Sequence, residues 1–494
     1  MNLAQLLERS ARDHADRPAL IAGERRWTYR QLDDEASALA AGFAGLGLAP
    51  GDRIGLHLPN SPEFALAYYA AQKIGLVPLS LNVTYRAEEI EYIIADAAAS
   101  AVVTAGPVAP NLPGRERMPS IRHVIDARDL AGLRGKPVRA LDLDRETTAA
   151  ILYTSATTGR PKGVMLSHAN VVSNAYATVH HLRMTPEDRG LCAVPMFHCF
   201  GQNFVMNSLV TAGGLLVLQE RFVPDQFLEA VTRHRITLFY GVPTMYILFL
   251  SMAGTLDFSS VRLFFSAAAT LPTDVERRWQ ERYGTPVVQG YGLTECSPFA
   301  AWNHDSHVRP GSVGTPIENV EMTVVDPEGR QVADGELGEI LIKGPNVMKG
   351  YFGNPQATAE AIRDGWLHSG DVGYRDRDGY YFLVDRVKDM INVSGFKVFP
   401  REVEEVLYRH DAVKEVAVVG VPDPVRGEAV KAFVVLQEGK TATPEALQTI
   451  CRDAIASYKV PDAFEFISAL PKNPTGKILK KELRQRPGRT KGQR

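Results

Sequence analysis

Apolar positions recur along the chain in two alternating periods. Residues 1–18 set leucines at helical spacing among charges, which predicts an amphipathic helix. Residues 31–46 repeat that pattern and reach Gly45 and Gly47 where a helix would stop. Pro50-Gly51-Asp52 then turns into an apolar strand at 53–58, Asn60-Ser61-Pro62 caps a helix over 63–73, and a further strand falls near 77–81. Such alternation predicts a mostly parallel sheet covered by helices. The middle third continues it, with strands expected at 149–152, 191–196, 213–219, 237–240, 263–266 and 286–290. Between 335 and 382 the texture changes to short, glycine-punctuated strands, read as antiparallel. A new unit follows: a helix at 400–410, strands at 416–420 and 430–436, a helix at 444–457 and a strand near 464–467. The expected class is α/β. A large N-terminal domain over 1–385 has mostly parallel sheets flanked by helices, with a small β-barrel-like subdomain at about 311–385. A smaller α+β C-terminal domain spans 389–494. The charge run Asp385-Arg386-Val387-Lys388-Asp389 marks the boundary, with a hinge at 386–388.

Composition narrows the class. A chain of 494 residues is long enough for two or more domains, and 45% hydrophobic with 23% charged residues is a globular balance. A net charge of −2 gives no global field to recruit nucleic acid or a membrane surface. No apolar run reaches ~18 residues, so no integral membrane segment is expected. The charged first helix is not a signal peptide. Cys192, Cys199, Cys296 and Cys451 lie far apart without metal-ligand spacing, which fits a reduced, cytoplasmic protein. The basic stretch after Lys480 reads as a solvated tail.

The densest chemistry lies at Tyr153-Thr154-Ser155-Ala156-Thr157-Thr158-Gly159-Arg160-Pro161-Lys162-Gly163. Short side chains let a backbone close around an anion, hydroxyls add donors, and Lys162 adds charge, which makes a phosphate grip. The spacing is not that of the nucleotide-binding loop with Gly-x4-Gly-Lys-Ser/Thr. An exposed Ser/Thr/Gly hairpin loop is the plainer alternative. A second stretch, Gln289-Gly290-Tyr291-Gly292-Leu293-Thr294-Glu295, puts an aromatic, two glycines, a hydroxyl and a carboxylate at a strand end. There Tyr291 can stack on a base, Thr294 can bond a phosphate oxygen, and Glu295 can hold Mg2+. Asp371, after a Ser369-Gly370 turn, can accept from a ribose diol. Lys477 projects from a Pro- and Gly-bounded loop, where a solvated lysine is the plainer reading in isolation.

Together these motifs resemble the adenylate-forming superfamily of acyl-CoA synthetases, peptide-synthetase adenylation domains and luciferases. The likeness runs from about residue 3 to 483. It departs at Ala156, where the family usually has glycine. The resemblance implies ATP, Mg2+ and CoA as cofactors and co-substrates. Thr154 through Gly159, Lys162, Gln289 through Gly292, Thr294, Asp371 and Arg386 would bind the nucleotide. Thr154 and Glu295 would hold the metal. Lys477, Glu295, Thr154 and His198 would form the catalytic set. In the family such a lysine enters from a mobile C-terminal domain and bridges carboxylate and α-phosphate. His198, in Pro195-Met196-Phe197-His198-Cys199-Phe200-Gly201, would gate the acyl pocket. Gln202, Met206, Tyr240, Gly241, Val242, Ser266, Ala267 and Ala268 would line that pocket. Lys388 would be the hinge residue, and Ser394, Gly395 and Phe396 would swing against a CoA tunnel.

The expected reaction is ATP-dependent ligation of a monocarboxylic acid to CoA through acyl-AMP, releasing AMP and pyrophosphate. The pocket positions carry no arginine, which disfavours a dicarboxylate. The region from Cys192 to Leu218 has no acidic residue, which disfavours an amino acid. Medium-chain fatty and aryl acids both fit. A carrier protein or amine as acyl acceptor stays open, as does a nucleotide-binding protein whose turnover is impaired by Ala156. A homodimer is compatible with the sequence.

Overall fold

The computed structural model describes residues 1–154, 160–386, 389–474 and 476–486. The calls at residues 155–159 and at Lys388 lie outside the described residues.

Two sheets with parallel centres carry most of the chain before residue 310. The larger has nine strands, and its parallel part runs Val287–Gly292, Leu263–Ser266, Leu238–Gly241, Arg189–Cys192, Leu215–Leu218 and Pro18–Ala22. The second has seven, with Thr148–Thr154, Val77–Ser80, Arg53–His57, Ala101–Thr104 and His123–Asp126 parallel to one another. Polar residues start the predicted helices. Thr28 and Gln31 form a reciprocal box at Tyr29–Gly45, with bonds of 3.2 and 2.8 Å. Ser61 caps Pro62–Lys73, whose residues are all buried except Glu63. Lys73 pairs inside with Glu8 at 2.9 Å and Asp33 at 2.8 Å, fastening the first three helices together.

Residues 321–386 form a five-stranded antiparallel sheet. Two expectations for this stretch are corrected. Gly350–Tyr351 pairs instead with Lys162–Ser167 in the seven-stranded sheet. Pro355–Ala361 is a helix, because Asn354 caps it by accepting from Ala357 N at 2.9 Å. From residue 391 onward the chain builds a separate five-stranded sheet with helices Pro400–Tyr408 and Pro444–Ala454 and its own apolar clusters.

The strand expected at 191–196 stops at Cys192. Asn60 takes over the backbone bonding beyond it, donating to Val194 O at 2.9 Å and accepting from Met196 N at 2.7 Å. This exit matters. From Cys192 the chain first forms Leu215–Leu218 on one side of its strand, then crosses to Leu238–Gly241 on the other. A crevice therefore opens beyond Cys192 and Gly241, the switch point where parallel sheets hold ligands.

Candidate functional site

The phosphate-grip segment is a hairpin. Thr148–Thr154 and Lys162–Ser167 pair antiparallel, and Thr154 opposite Lys162 is the last pair before the loop. The loop thus joins two strands, not a strand and a helix. Thr154 and Lys162 stand half-buried at its base; Ser155, Ala156, Thr157, Thr158 and Gly159 lie outside the described residues. The Lys162 ammonium lies 4.9 Å from the centre of the Tyr351 ring. The Tyr351 hydroxyl donates to Glu295 Oε1 at 2.9 Å. The sequence did not single out Tyr351; its one cue was the Gly350-Tyr351 pair, which reads as ordinary strand.

Asp371 sits on a bulge. In Trp366–Arg375 the register against Gly338–Lys343 slips around Ile340, and Gly370 adopts a φ of +70°. Ser369 Oγ donates to Ile340 O and accepts from Asp371 N at 3.0 Å, which aims the carboxylate out of the ladder. Asp371 Oδ2 accepts from the Tyr291 hydroxyl at 2.9 Å, and Oδ1 faces Arg386 Nε at 3.0 Å. Burial, then the Asp371 charge, pushes Tyr291 far above the usual phenol range, so it remains a donor. Burial opposes the Arg386 charge, but Asp371 and, further off, Glu295 more than restore it. Each carboxylate oxygen keeps a second lone pair for a ligand hydroxyl.

Gly290 and Gly292 are fixed by close approach: a Cβ would meet the Phe265 ring at 2.1 Å or Pro298 O at 1.5 Å. Gln289 is buried. Its amide donates to Glu276 at 2.5 Å and accepts from Leu271 N at 3.0 Å, so it braces the wall of the site. Glu276 also accepts from Gly311 N at 2.9 Å, and burial raises it to about 7. Thr294 and Glu295 begin a short 3-10 turn and are half-buried.

At the switch-point crevice, Ala267 N donates to Gly241 O at 3.2 Å, and Ser266 lies in register with Gly241. Ala268 takes a left-handed φ of +70°. Residues Phe200–Asn207 wind as a fully buried π-helix. Phe204 stacks on Phe265 with centroids 4.6 Å apart and meets Tyr240 edge-on. Gln202 and Met206 are enclosed; the Gln202 amide bonds Ser80 and Asn203. No arginine or lysine is among the expected lining residues. Arg262, whose charge Tyr240 feels, is held by Asp188 at 2.8 Å.

The Lys477 loop closes over this crevice. Gly476, at a φ of +79°, lies so near that a Cβ would come 3.0 Å from Val242 Cγ2 and 3.2 Å from Thr244 Oγ1. Asn473 shapes the loop tip: its Oδ1 accepts from Lys477 N at 2.9 Å and its backbone O from Gly476 N at 2.9 Å. His198 is held to about 4, by burial first and by the Lys477 charge second. Its Nδ1 accepts from Phe200 N at 3.2 Å, so the neutral ring carries its proton on Nε2.

Contacts outside the crevice hold the parts in this arrangement. Glu405 accepts from Thr273 Oγ1 at 2.7 Å. Arg401 donates to Leu383 O, and its backbone N donates to Asp385 at 3.2 Å. Lys480 lies 2.9 Å from Glu404 and 3.9 Å from Asp385. Ser394 and Gly395, both at positive φ, turn the hairpin between Ile391–Val393 and Phe396–Val398. Phe396 stacks on Tyr458 and is 57% exposed.

A divalent cation fits beside Glu295. Its donors there are hard oxygens, and among the described residues its second carboxylate oxygen has no hydrogen-bond partner. Among the described residues no cluster of three His, Cys, Asp or Glu side chains forms a cage. Phosphate and water would therefore complete the shell, as Mg2+ prefers.

Comparison with known proteins places nearly the whole chain beside one family. Residues 7–352 match the AMP-binding enzyme family, and residues 402–477 match the AMP-binding enzyme C-terminal domain. A feruloyl-CoA synthase of Amycolatopsis is 37% identical, covering 97% of this chain and 98% of that protein. A long-chain-fatty-acid–CoA ligase of Bacillus subtilis is 35% identical over 97% of this chain and 94% of its own length. The crystal structure of the anthranilate CoA ligase AuaEII with anthranoyl-AMP superposes with a TM-score of 0.93 at 30% identity, covering 98% and 96% of the two chains.

Proposed function

The chain belongs to the AMP-binding enzymes, the adenylate-forming acyl-CoA synthetases, and on that premise we infer that it ligates an apolar monocarboxylic acid to CoA. In the first half-reaction a carboxylate oxygen attacks the α-phosphorus of ATP and pyrophosphate leaves. In the second, the CoA thiol attacks the acyl carbonyl and AMP leaves.

Each residue cluster takes one part. The hairpin from Thr154 to Lys162 grips the phosphates. Asp371, braced by Tyr291 and Arg386, accepts from the ribose hydroxyls. Glu295 and Thr154 hold Mg2+, which when bound supplies charge neutralisation at the phosphates. Two anions must meet for acyl transfer to begin, and Lys477 offsets their repulsion at the crevice mouth. His198 stays neutral, so the acid's carboxylate meets one cation rather than two. After adenylation the domain beyond residue 388 turns about Lys388 and brings Ser394, Gly395 and Phe396 to the pantetheine path.

The observation carrying this reading is the seating of the Gly476-Lys477 loop against Val242, Thr244 and His198, at the carboxyl ends of the central strands. The acid is assigned an apolar body because most positions expected to line the crevice are apolar and none of them is an arginine or lysine that could take a second carboxylate. Aryl, phenylpropenoid and aliphatic acids share that chemistry.

The test is pyrophosphate release over a panel of carboxylic acids, with and without CoA, with thioester measured in parallel. Release with uncharged aryl or medium-chain acids and thioester only with CoA is expected. Release without thioester would move the acceptor to a carrier protein or amine. Release with malonate but not with apolar acids would refute the pocket assignment.

A further inference from the structure

Tyr351 joins two parts of the site that the chain supplies from far apart. Its segment is stitched to both. Lys349 N donates to Met165 O at 3.0 Å and Phe352 N to Gly163 O at 2.7 Å, along the strand that follows the phosphate hairpin. Met348 N donates to Glu295 O at 2.8 Å, on the metal-site turn. Thr358 Oγ1 accepts from Tyr351 N at 2.8 Å and fixes the residue from its other side. The side chain then repeats the bridge: hydroxyl to Glu295, ring face to the Lys162 ammonium.

This arrangement has an electrostatic consequence. Lys162 and Glu295 carry opposite charges in one half-buried cleft. Left to themselves they would pair, and each would be lost to an incoming ligand. Among the described residues no ion pair joins them; the phenol stands between. A cation over a ring face keeps most of its charge for an anion arriving from the other side. A carboxylate held by one neutral hydroxyl keeps its charge and remaining lone pairs for a cation.

We propose that Tyr351 is a positioning residue for Mg·ATP: it holds Glu295 and Lys162 apart and presents them together to the metal and to the β- and γ-phosphates. The role rests on the reading of this cleft as the phosphate and metal site. It predicts that Tyr351 matters for ligands that bring phosphates beyond the first and a cation, and not for AMP.

The experiment compares equilibrium binding of a non-hydrolysable ATP analogue, with and without Mg2+, against binding of AMP. Tyr351→Phe removes only the hydroxyl. It should weaken Mg2+-dependent analogue binding about 10-fold, the scale of a hydrogen bond to a charged group, and leave AMP affinity within about 2-fold. Tyr351→Gln keeps a donor but loses the ring. It should retain the Mg2+ requirement of wild type while weakening the analogue several-fold through Lys162. In both variants thioester formation from supplied acyl-AMP and CoA should proceed at the wild-type rate. Equal losses for AMP, the analogue and thioester formation would make Tyr351 merely structural and overturn the proposal, as would unchanged analogue binding in both variants. A wild-type protein that binds no ATP analogue in any condition would instead overturn the site assignment on which the proposal rests.

Discussion

The Lys477 charge reaches the buried His198 ring: second only to burial, it keeps the imidazole neutral, with a pKa of about 4. On the proposed reading, the acid and the α-phosphate would meet the Lys477 charge beside a neutral imidazole. Replacing Lys477 by Ala should lower pyrophosphate release by about 10²-fold or more, the usual scale for a preorganised charge. Thioester formation from supplied acyl-AMP, which no longer needs two anions to meet, should be nearly unchanged. Full-rate adenylation by Lys477→Ala would remove the lysine from the mechanism. A stopped assay of each half-reaction separates the cases.

Thr273 Oγ1 donates to Glu405 at 2.7 Å, a contact that on the proposed reading would favour the adenylation arrangement. Glu405→Ala should slow pyrophosphate release about 3- to 10-fold through loss of a charged hydrogen bond. It should leave the thioester half-reaction equal or faster, because nothing there needs this contact. Slowing of both half-reactions by one factor would mean that the contact supports the fold rather than the arrangement.

Histidines buried in the core set an acid limit on stability. His57 and His168 are enclosed and held near 4, chiefly by burial, against an ordinary value near 6.5. Between those values the unfolded chain binds more protons than the folded one, so stability rises with pH from about 4 to 6.5 and the effect ends above. Each histidine contributes a slope of up to about 1.4 kcal/mol per pH unit. Glu276, raised to about 7 by burial, opposes them with one proton between its ordinary value and 7. Urea unfolding should therefore show lower stability at pH 5 than at pH 6.5. Equal or higher stability at pH 5 would show that these rings are protonated in the folded state.

Much of this was legible in the sequence, for identifiable reasons. The Ser61 cap acts within three residues, so its helix could be read locally. Ser369-Gly370-Asp371 reads by itself as an ordinary β-turn aspartate and stood out only through its likeness to the family motif. What escaped depends on distant partners. Asn60 ends the strand at Cys192 from more than a hundred residues away. Gly350–Tyr351 looked like part of its local antiparallel texture until its pairing with Val164 and Met165 was seen. Tyr351 and Glu276 escaped for the same reason: a tyrosine in a strand and a glutamate in an amphipathic helix look like packing and solvent. The resemblance implies a nucleotide contact at Gln289, and nothing in the sequence signals that its side-chain amide bonds Glu276 and Leu271.

Ala156 stands where relatives of this loop usually have glycine. If the closed loop needs positive φ there, alanine costs about 1 kcal/mol or more. Ala156→Gly should then change the KM for ATP or the turnover while leaving the ranking of acids untouched. A changed acid preference with unchanged ATP kinetics would contradict a role at the phosphates. Steady-state kinetics over three or four acids suffices.

The most direct test is a single turnover with α-labelled ATP, Mg2+ and an apolar monocarboxylic acid, with CoA withheld. Enzyme in excess should accumulate bound acyl-AMP and release an equal amount of pyrophosphate, and a later pulse of CoA should convert the labelled intermediate to AMP and thioester. Label that passes to AMP with no acyl-AMP formed, or an acyl-AMP that CoA does not discharge, would contradict the assignment of this chain as an acyl-CoA ligase.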